Sequence, residues 1–343
     1  MTDKFRIDSH KLQFHPARVE EWRQGKDLWE TAKSIYPIYV EVSPVGACNH
    51  RCTFCAVDYL GYKPISLEAS MLVDRLEEMS SLGVKSIMLA GEGEPLLHKK
   101  INHIVFGALN ARLDVAFTTN GVLLDKLEAL PQCSWVKVSV NAGSRETYTN
   151  VHKADPKDWD KVWRNIREAA KYKGKCTLGI QMVVLPENAH EIPLLEELAA
   201  DAGVDYCVIK PYSQHKRSIN KLDPTWKPVA LQISRSKTVF REAAFSTTGP
   251  TYTKCNATPF FWAYITAAGD VYSCSAYIGD PRFCLGNIKS DIFEDIWEGP
   301  DRQRNWELLT KYLDISKCRT NCRMDKANRY LNDFSELPHV NFI

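Results

Sequence analysis

Three cysteines fall within eight residues, Cys48, Cys52 and Cys55, in the stretch Cys-Asn-His-Arg-Cys-Thr-Phe-Cys that follows the apolar run 38–42. Three thiolates on one short loop can wrap one face of an iron–sulfur cubane, which normally takes four cysteines. The missing fourth leaves one iron open to an exogenous ligand. A zinc knuckle would need a fourth protein ligand, and His50 inside the loop is too cramped to join its neighbours in a tetrahedron. Core cysteines seldom crowd three to one turn. The chain holds 11 cysteines in all, and its start, Met-Thr-Asp-Lys-Phe-Arg, has no apolar signal segment. Cluster binding in a reducing, cytoplasmic setting is therefore expected ahead of disulfides.

The surrounding sequence gives the loop a scaffold. Residues 1–36 read as a helical lead-in, with Val19, Trp22, Leu28, Trp29 and Ala32 among charges. A strand-then-helix rhythm follows. Strands are expected at 38–42, 86–90, 115–118, 135–140, 178–185 and 206–209, each stopped by Gly, Pro or Asn-Gly or followed by a helical pattern. Helices are expected over 67–82, where Leu72, Leu76 and Met79 are spaced for one face and Ser66 is a candidate N-cap, and around Ile101–Ala108, Trp159–Ala169 and Ile192–Leu198. Alternating strands and helices imply a parallel sheet with right-handed crossovers, here a partial (β/α)6 barrel, with chemistry at the carboxyl ends of its strands. The rhythm fails after Tyr212. Residues 213–250 are polar, and a cysteine-rich part begins at Cys255, with a hairpin-like stretch (Phe-Phe-Trp-Ala-Tyr-Ile onward) and one helix over 291–311. The division expected is a lead-in (1–36), a barrel (37–225) and a small C-terminal unit (226–343).

Bulk properties exclude other classes. Lys+Arg 44 against Asp+Glu 42 leaves a net charge of +2, so no global field points to nucleic acid or a membrane surface. No apolar run is long enough to span a bilayer.

The triplet in this place resembles the radical S-adenosylmethionine (SAM) superfamily. The resemblance implies that SAM chelates the open iron, that one electron from the reduced [4Fe–4S] cluster cleaves the sulfonium bond, and that the 5′-deoxyadenosyl radical takes a hydrogen atom from substrate. A flavodoxin- or ferredoxin-type donor would supply the electron. The stretch Gly91-Glu92-Gly93-Glu94-Pro95 then stands where the family recognises the SAM amino group, although Glu92 occupies a position where glycine is common. Thr118, Thr119, Asn120, Ser139 and Asn141, at the ends of the third and fourth strands, match positions that bind the ribose or carboxylate. Gln181 and Val183, with Phe54, match positions near the adenine. Ordinary strand-end capping is the competing reading for the strand-end residues.

The later cysteines resemble the twitch domain, a shortened SPASM domain. Cys255, Gly269, Cys274, the stretches Leu-Gly-Asn-Ile and Asp-Ile-Trp-Glu-Gly, then Cys318 and Cys322 follow its order. The resemblance implies a second, fully ligated [4Fe–4S] cluster on Cys255, Cys274, Cys318 and Cys322. With no open iron, its expected role is electron transfer, similar to superfamily dehydrogenases that pair a barrel with such a domain. A structural zinc site is the alternative.

Lys210-Pro-Tyr212-Ser-Gln214-His215-Lys216-Arg217 follows the sixth strand at the mouth of the barrel. Its donors suit a phosphate, nucleotide or carboxylate, so the substrate expected is a small polar molecule of anionic character. Tyr148 is a further residue that could face the pocket. Lys210, His215 and His152 are candidate bases. The leading expectation is an oxidoreductase acting on a sugar, aminocyclitol or sugar nucleotide. The alternatives are an epimerase using Cys284 or Cys207 as hydrogen donor, a peptide-modifying maturase, for which residues 1–36 are short as a peptide-clasping domain, and a non-enzymatic metal-binding protein.

Overall fold

A strand that alternates side chains can bury one row against helices and present the other to a cavity. The computed structural model, which describes residues 3–7, 9–213, 215, 217–221, 223, 226, 237–241, 250–319, 321–336 and 339, shows this double use in almost every strand. Ten strands form one sheet: β1 Tyr39–Val42, β2 Ser86–Leu89, β3 Asp114–Thr119, β4 Trp135–Ser139, β5 Thr177–Val184, β6 Tyr206–Pro211, β7 Thr238–Phe240, β8 Trp262–Ile265, β9 Asp270–Tyr272 and β10 Cys284–Asn287. Their order is β10-β9-β8-β1-β2-β3-β4-β5-β6-β7. Neighbours from β8 through β1 to β7 pair in parallel, and β8-β9-β10 pair antiparallel. All six expected strands are present, as a partial α/β barrel.

The outward row, including Val40, Val42, Ile87, Leu89, Val136 and Val138, packs with Leu72, Leu76, Ile104 and Ile166 of the covering helices in one apolar core. The inward row is different. Met88, Ala90 and Ala116, with Tyr39 and Trp135, form a separate small cluster. By the same alternation Glu41, Lys137, Ser139, Gln181 and Lys210 also face inward.

Three features depart from the sequence expectation. The sheet continues past Tyr212, because β7 adds a parallel edge strand to β6, with Val208 opposite Val239. The helix over Ala69–Ser81 is capped by Glu68, whose carboxylate accepts from Met71 N at 2.7 Å, and Ser66 instead bridges Val45. The helix expected over 291–311 is broken: Phe293–Glu298 stops at Gly299, and Pro300 opens a new helix, Pro300–Glu307.

The lead-in and the C-terminal part share a second core. Trp22 and Ile35 pack with Phe260, Phe261, Trp306 and Leu331. Arg302 holds this junction. It is 1% exposed, and its guanidinium donates to the carbonyls of Ala32, Lys33, Ile35, Pro259 and Trp297 at 2.9–3.4 Å. It also stacks over Trp297, 4.0 Å from the ring centroid. Arg302→Met keeps the bulk but removes the guanidinium donors from five carbonyls, of which Ala32 O keeps Ile35 N and Ile35 O keeps Trp297 Nε1. We expect a loss of about 3 kcal/mol of stability, read from the urea midpoint.

Candidate iron–sulfur and SAM site

The carboxyl ends of the parallel strands lie on one side of the barrel, and the cysteine loop follows β1 there. Cys48, Cys52 and Cys55 are free thiols, each half-buried. Burial pushes Cys52 well above the usual thiol range, and the charges of Cys55 and Cys48 push it further. Cys48 is raised to about 12, first by burial. Three thiols that penalise one another's ionisation suit a positively charged inorganic core, and Cys52 also shares a candidate single-ion site with His50 and His152.

The loop is tied down from several sides. Arg51 Nη1 donates to the carbonyls of Cys48 and His50, both at 2.7 Å. Its N–H and that of Thr53 donate to the His152 and Val151 carbonyls at 3.0 and 2.8 Å. His50 Nε2 lies 3.0 Å from Asp158. The expected glycine-rich stretch abuts the same loop, with Glu94 N donating to Ala47 O at 2.9 Å. A Cβ on Gly93 would strike the Ala47 and Val45 carbonyls, so only glycine allows this approach. Gly91 has φ +117, and a Cβ there would meet Ser43 and the Tyr264 hydroxyl.

The two glutamates of that stretch have separate partners. Glu92 Oε1 accepts from Ala267 N at 2.8 Å, joining the barrel to the β8–β9 turn. Where the family commonly has glycine, this chain uses a carboxylate to anchor its C-terminal hairpin. Glu94 is buried and accepts from Thr119 Oγ1 at 2.6 Å, Asn120 N at 2.7 Å and Leu96 N at 3.2 Å. Burial raises it to about 7, and the Asn120, Thr119 and Leu96 donors pull the other way. Asn120 Nδ2 continues to Asn49 Oδ1 at 2.7 Å, next to Cys48. Glu94 therefore organises the end of β3 against the cysteine loop. Glu94→Gln points an amide N–H at one of these donors. We expect about 2 kcal/mol less stability and incomplete cluster loading, measured by urea titration and iron content.

The strand-end residues divide similarly. Asn141, at φ +57, accepts from Val183 N at 2.8 Å, and its carbonyl accepts from Asn188 Nδ2 at 2.8 Å, which clips β4 to β5. Gln181 Nε2 donates to Ser139 Oγ at 3.0 Å, while its buried Oε1 has no partner among the described residues. Thr118 Oγ1 lies 3.5 Å from Met88 Sδ. Phe54 and Val183 meet in one apolar patch with Val151, Leu185 and Tyr212. The structure thus brings together Phe54 with Val183 and Ser139 with Gln181, and leaves an orphaned acceptor on the inward wall.

The base candidates are not equivalent. His152 is buried. Its Nε2 donates to Val140 O at 2.9 Å, and Nδ1 lies 3.2 Å from Cys52 Sγ. Burial lowers it to about 3. His215 is also buried. Nε2 donates to Ala276 O at 2.7 Å, and Nδ1 accepts from Arg217 N at 3.0 Å. Both rings are thus engaged on both nitrogens by protein groups, the first under the cysteine loop and the second between the β6 loop and the C-terminal part. Tyr148 is fully buried against His152, its hydroxyl unpartnered. Gln214 and Lys216 lie outside the described residues.

The later cysteines gather as a group. Cys274 is pushed up by burial and then by the charges of Cys322 and Cys255, and Cys322, up to about 11, by burial, then Cys255, with Cys318 also adding. Asn328 Nδ2 approaches Cys255 Sγ at 3.7 Å, and Tyr277 Oη approaches Cys318 Sγ at 3.7 Å. Cys284 keeps other company, with Asp270, Asp301 and Gly286 O as its neighbours. Among the described residues neither cysteine set draws three sulfurs within 4.8 Å of one another, whereas thiolates around one zinc sit roughly 3.8 Å apart. The donor sets fit clusters better than a single metal ion. Arg323, next to Cys322, pairs with inward-facing Glu41 of β1, a link between the two centres that no local sequence signal marks.

Comparison with known proteins agrees. The model of the radical SAM superfamily matches residues 42–199, and that of the SPASM iron–sulfur cluster-binding domain matches residues 255–323. A GTP 3′,8-cyclase of Chlorobaculum tepidum is 30% identical over 190 residues, 52% of this chain and 55% of that protein. Molybdenum cofactor biosynthesis protein moc-5 of Caenorhabditis elegans is 29% identical over 177 residues, 49% of this chain and 28% of that protein. The matched stretch thus spans about half, or less, of these relatives. Among solved structures, Streptococcus suis SuiB bound to S-adenosylmethionine superposes with a TM-score of 0.60 at 16% identity, over 84% of this chain and 70% of that one. Native anSMEcpe with bound AdoMet gives 0.59 at 16%, over 84% and 91%. SAM, a SAM-binding [4Fe–4S] cluster and an auxiliary iron–sulfur cluster are the cofactors these domains carry. The chain belongs to the radical SAM superfamily and carries a C-terminal auxiliary-cluster domain of the SPASM type.

Proposed function

We propose that this enzyme directs a 5′-deoxyadenosyl radical at a small polar metabolite of anionic character, a sugar, aminocyclitol or sugar nucleotide, and oxidises it. The observation that carries this reading is the inward wall of the barrel, where Ser139, Gln181 and Lys210 replace the apolar filling found lower down at Tyr39, Met88 and Trp135. Bound on Cys48, Cys52 and Cys55, the first cluster with SAM supplies the radical that takes a substrate hydrogen atom. Cys255, Cys274, Cys318 and Cys322 would hold the second cluster, which would supply an electron acceptor for the oxidation.

The chain's own residues do the positioning. Glu94 and Asn120 brace the cysteine loop, Phe54 and Val183 offer an apolar face suited to an adenine ring, and the orphaned Gln181 Oε1 offers an acceptor. Of the three base candidates, Lys210 alone has no hydrogen-bond partner on its side-chain nitrogen among the described residues, which suits it to meet the substrate. The relatives named GTP 3′,8-cyclase act, by that name, on a nucleotide, which supports a phosphorylated small molecule over a peptide. Epimerisation fares less well: Cys207 packs in the outward core with Ile180 and Ile209, and Cys284 sits on β10 at the far edge of the sheet.

Turnover in D2O tests the reaction. Dehydrogenation predicts an oxidised product with no solvent deuterium at the reacting carbon. Deuterium there, with no change in oxidation state, would identify an epimerase and sink the proposal.

A further inference from the structure

Two lysines of the inward wall, Lys137 and Lys210, face no carboxylate among the described residues. Lys137 lies on β4 two residues before Ser139, and Lys210 lies on β6 opposite Val183, both on the inward row. Arg241 follows β7, its N–H donating to Ile209 O at 3.0 Å, and so stands beside Lys210 on the same face. Arg319, between Cys318 and Cys322, adds a fourth cation that Lys210 feels. The inward carboxylate Glu41 is paired with Arg323, and Glu92 and Glu94 are held by backbone N–H groups.

Neither lysine ammonium has a carboxylate or hydrogen-bond partner among the described residues. Lys137 has only the Trp135 ring, 5.6 Å away. Burial lowers Lys137 to about 8, with Arg241 adding to it. Burial lowers Lys210 well below the ordinary lysine range, followed by the charges of Lys137, Arg241 and Arg319. Converging like charges without counter-charge destabilise a folded chain. An arriving anion reverses that cost. Two flexible ammoniums, each with three donors, match a tetrahedral dianion, whereas a flat carboxylate is better served by a guanidinium fork.

We propose that Lys137 and Lys210 form the subsite for a phosphate group of the substrate at the carboxyl end of the barrel. The inference rests on the reading that the barrel takes a small anionic metabolite, and it names the anion.

The test is calorimetric titration of the full chain with inorganic phosphate at constant ionic strength. Wild type should bind saturably. Lys137→Met and Lys210→Met should each weaken binding at least about tenfold, while Lys99→Met, on the exposed surface, should leave it unchanged. Thermal melts guard against misfolding: without phosphate the two inward variants should melt no lower than wild type, since each removes a like charge. SAM affinity of the reconstituted protein distinguishes the other carboxyl-bearing ligand. It should be the same in wild type and both variants. Non-saturable phosphate binding, equal binding in the Met variants, or a loss of SAM rather than phosphate affinity would overturn the subsite. Failure of 5′-deoxyadenosine formation with phosphate binding intact would instead strike the radical reading.

Discussion

Changing Cys318 and Cys322 to Ala should leave reductant-dependent 5′-deoxyadenosine formation in place while abolishing the oxidised product. Iron content should fall from about eight to about four per chain, because a cubane that loses two of four thiolates is not retained. The two centres are chemically separable in this fold. The triplet sits on a loop after β1 that is braced by β3 and by the helix Arg145–His152, and none of those contacts involves Cys318 or Cys322. The later cysteines lie beyond β8, joined to the barrel through Glu92–Ala267 and Arg323–Glu41. Product formation surviving in the double variant would show that the substrate's electron leaves by another route.

Cys52→Ala has the opposite signature. SAM cleavage should fall at least ~10³-fold, equivalent to roughly 4 kcal/mol on the barrier, with about four irons remaining on the later cysteines. Cys52 is the most informative of the three. Burial and the charges of Cys55 and Cys48 disfavour it as a lone anion, and of the three it contacts His152. Anaerobic assay of 5′-deoxyadenosine with dithionite reads the effect. Cleavage near the wild-type rate would remove Cys52 from the SAM-binding centre.

The parallel part of the fold was legible because each strand is an apolar run closed by a turn signal, and the first cysteine set because its spacing is local; the later set, spread from Cys255 to Cys322, was legible through its resemblance to the twitch domain. What was not legible depends on distant partners or on very short elements. β7 is three residues in a polar stretch, and its pairing with β6 supplies the order its sequence lacks. Glu92 read as part of a SAM-binding turn, but its carboxylate is committed to Ala267, 175 positions away. His215 read as a candidate base, whereas its ring is held by Ala276 and Arg217. Ser66 lost the cap to Glu68 because Ser66 is engaged with Val45. Lys137 was passed over although the alternation in Trp-Val-Lys-Val-Ser places it inward with Ser139. An inward lysine in a strand of a parallel barrel was a signal available from sequence.

One chain should hold both a radical-generating cluster and a second, fully ligated one. Anaerobic reconstitution followed by metal analysis and a SAM-cleavage assay tests it most directly. The expected result is about eight irons per chain, no stoichiometric zinc, and 5′-deoxyadenosine formed only when a strong reductant is present. Zinc in place of iron, or intact SAM under strong reductant, would contradict it.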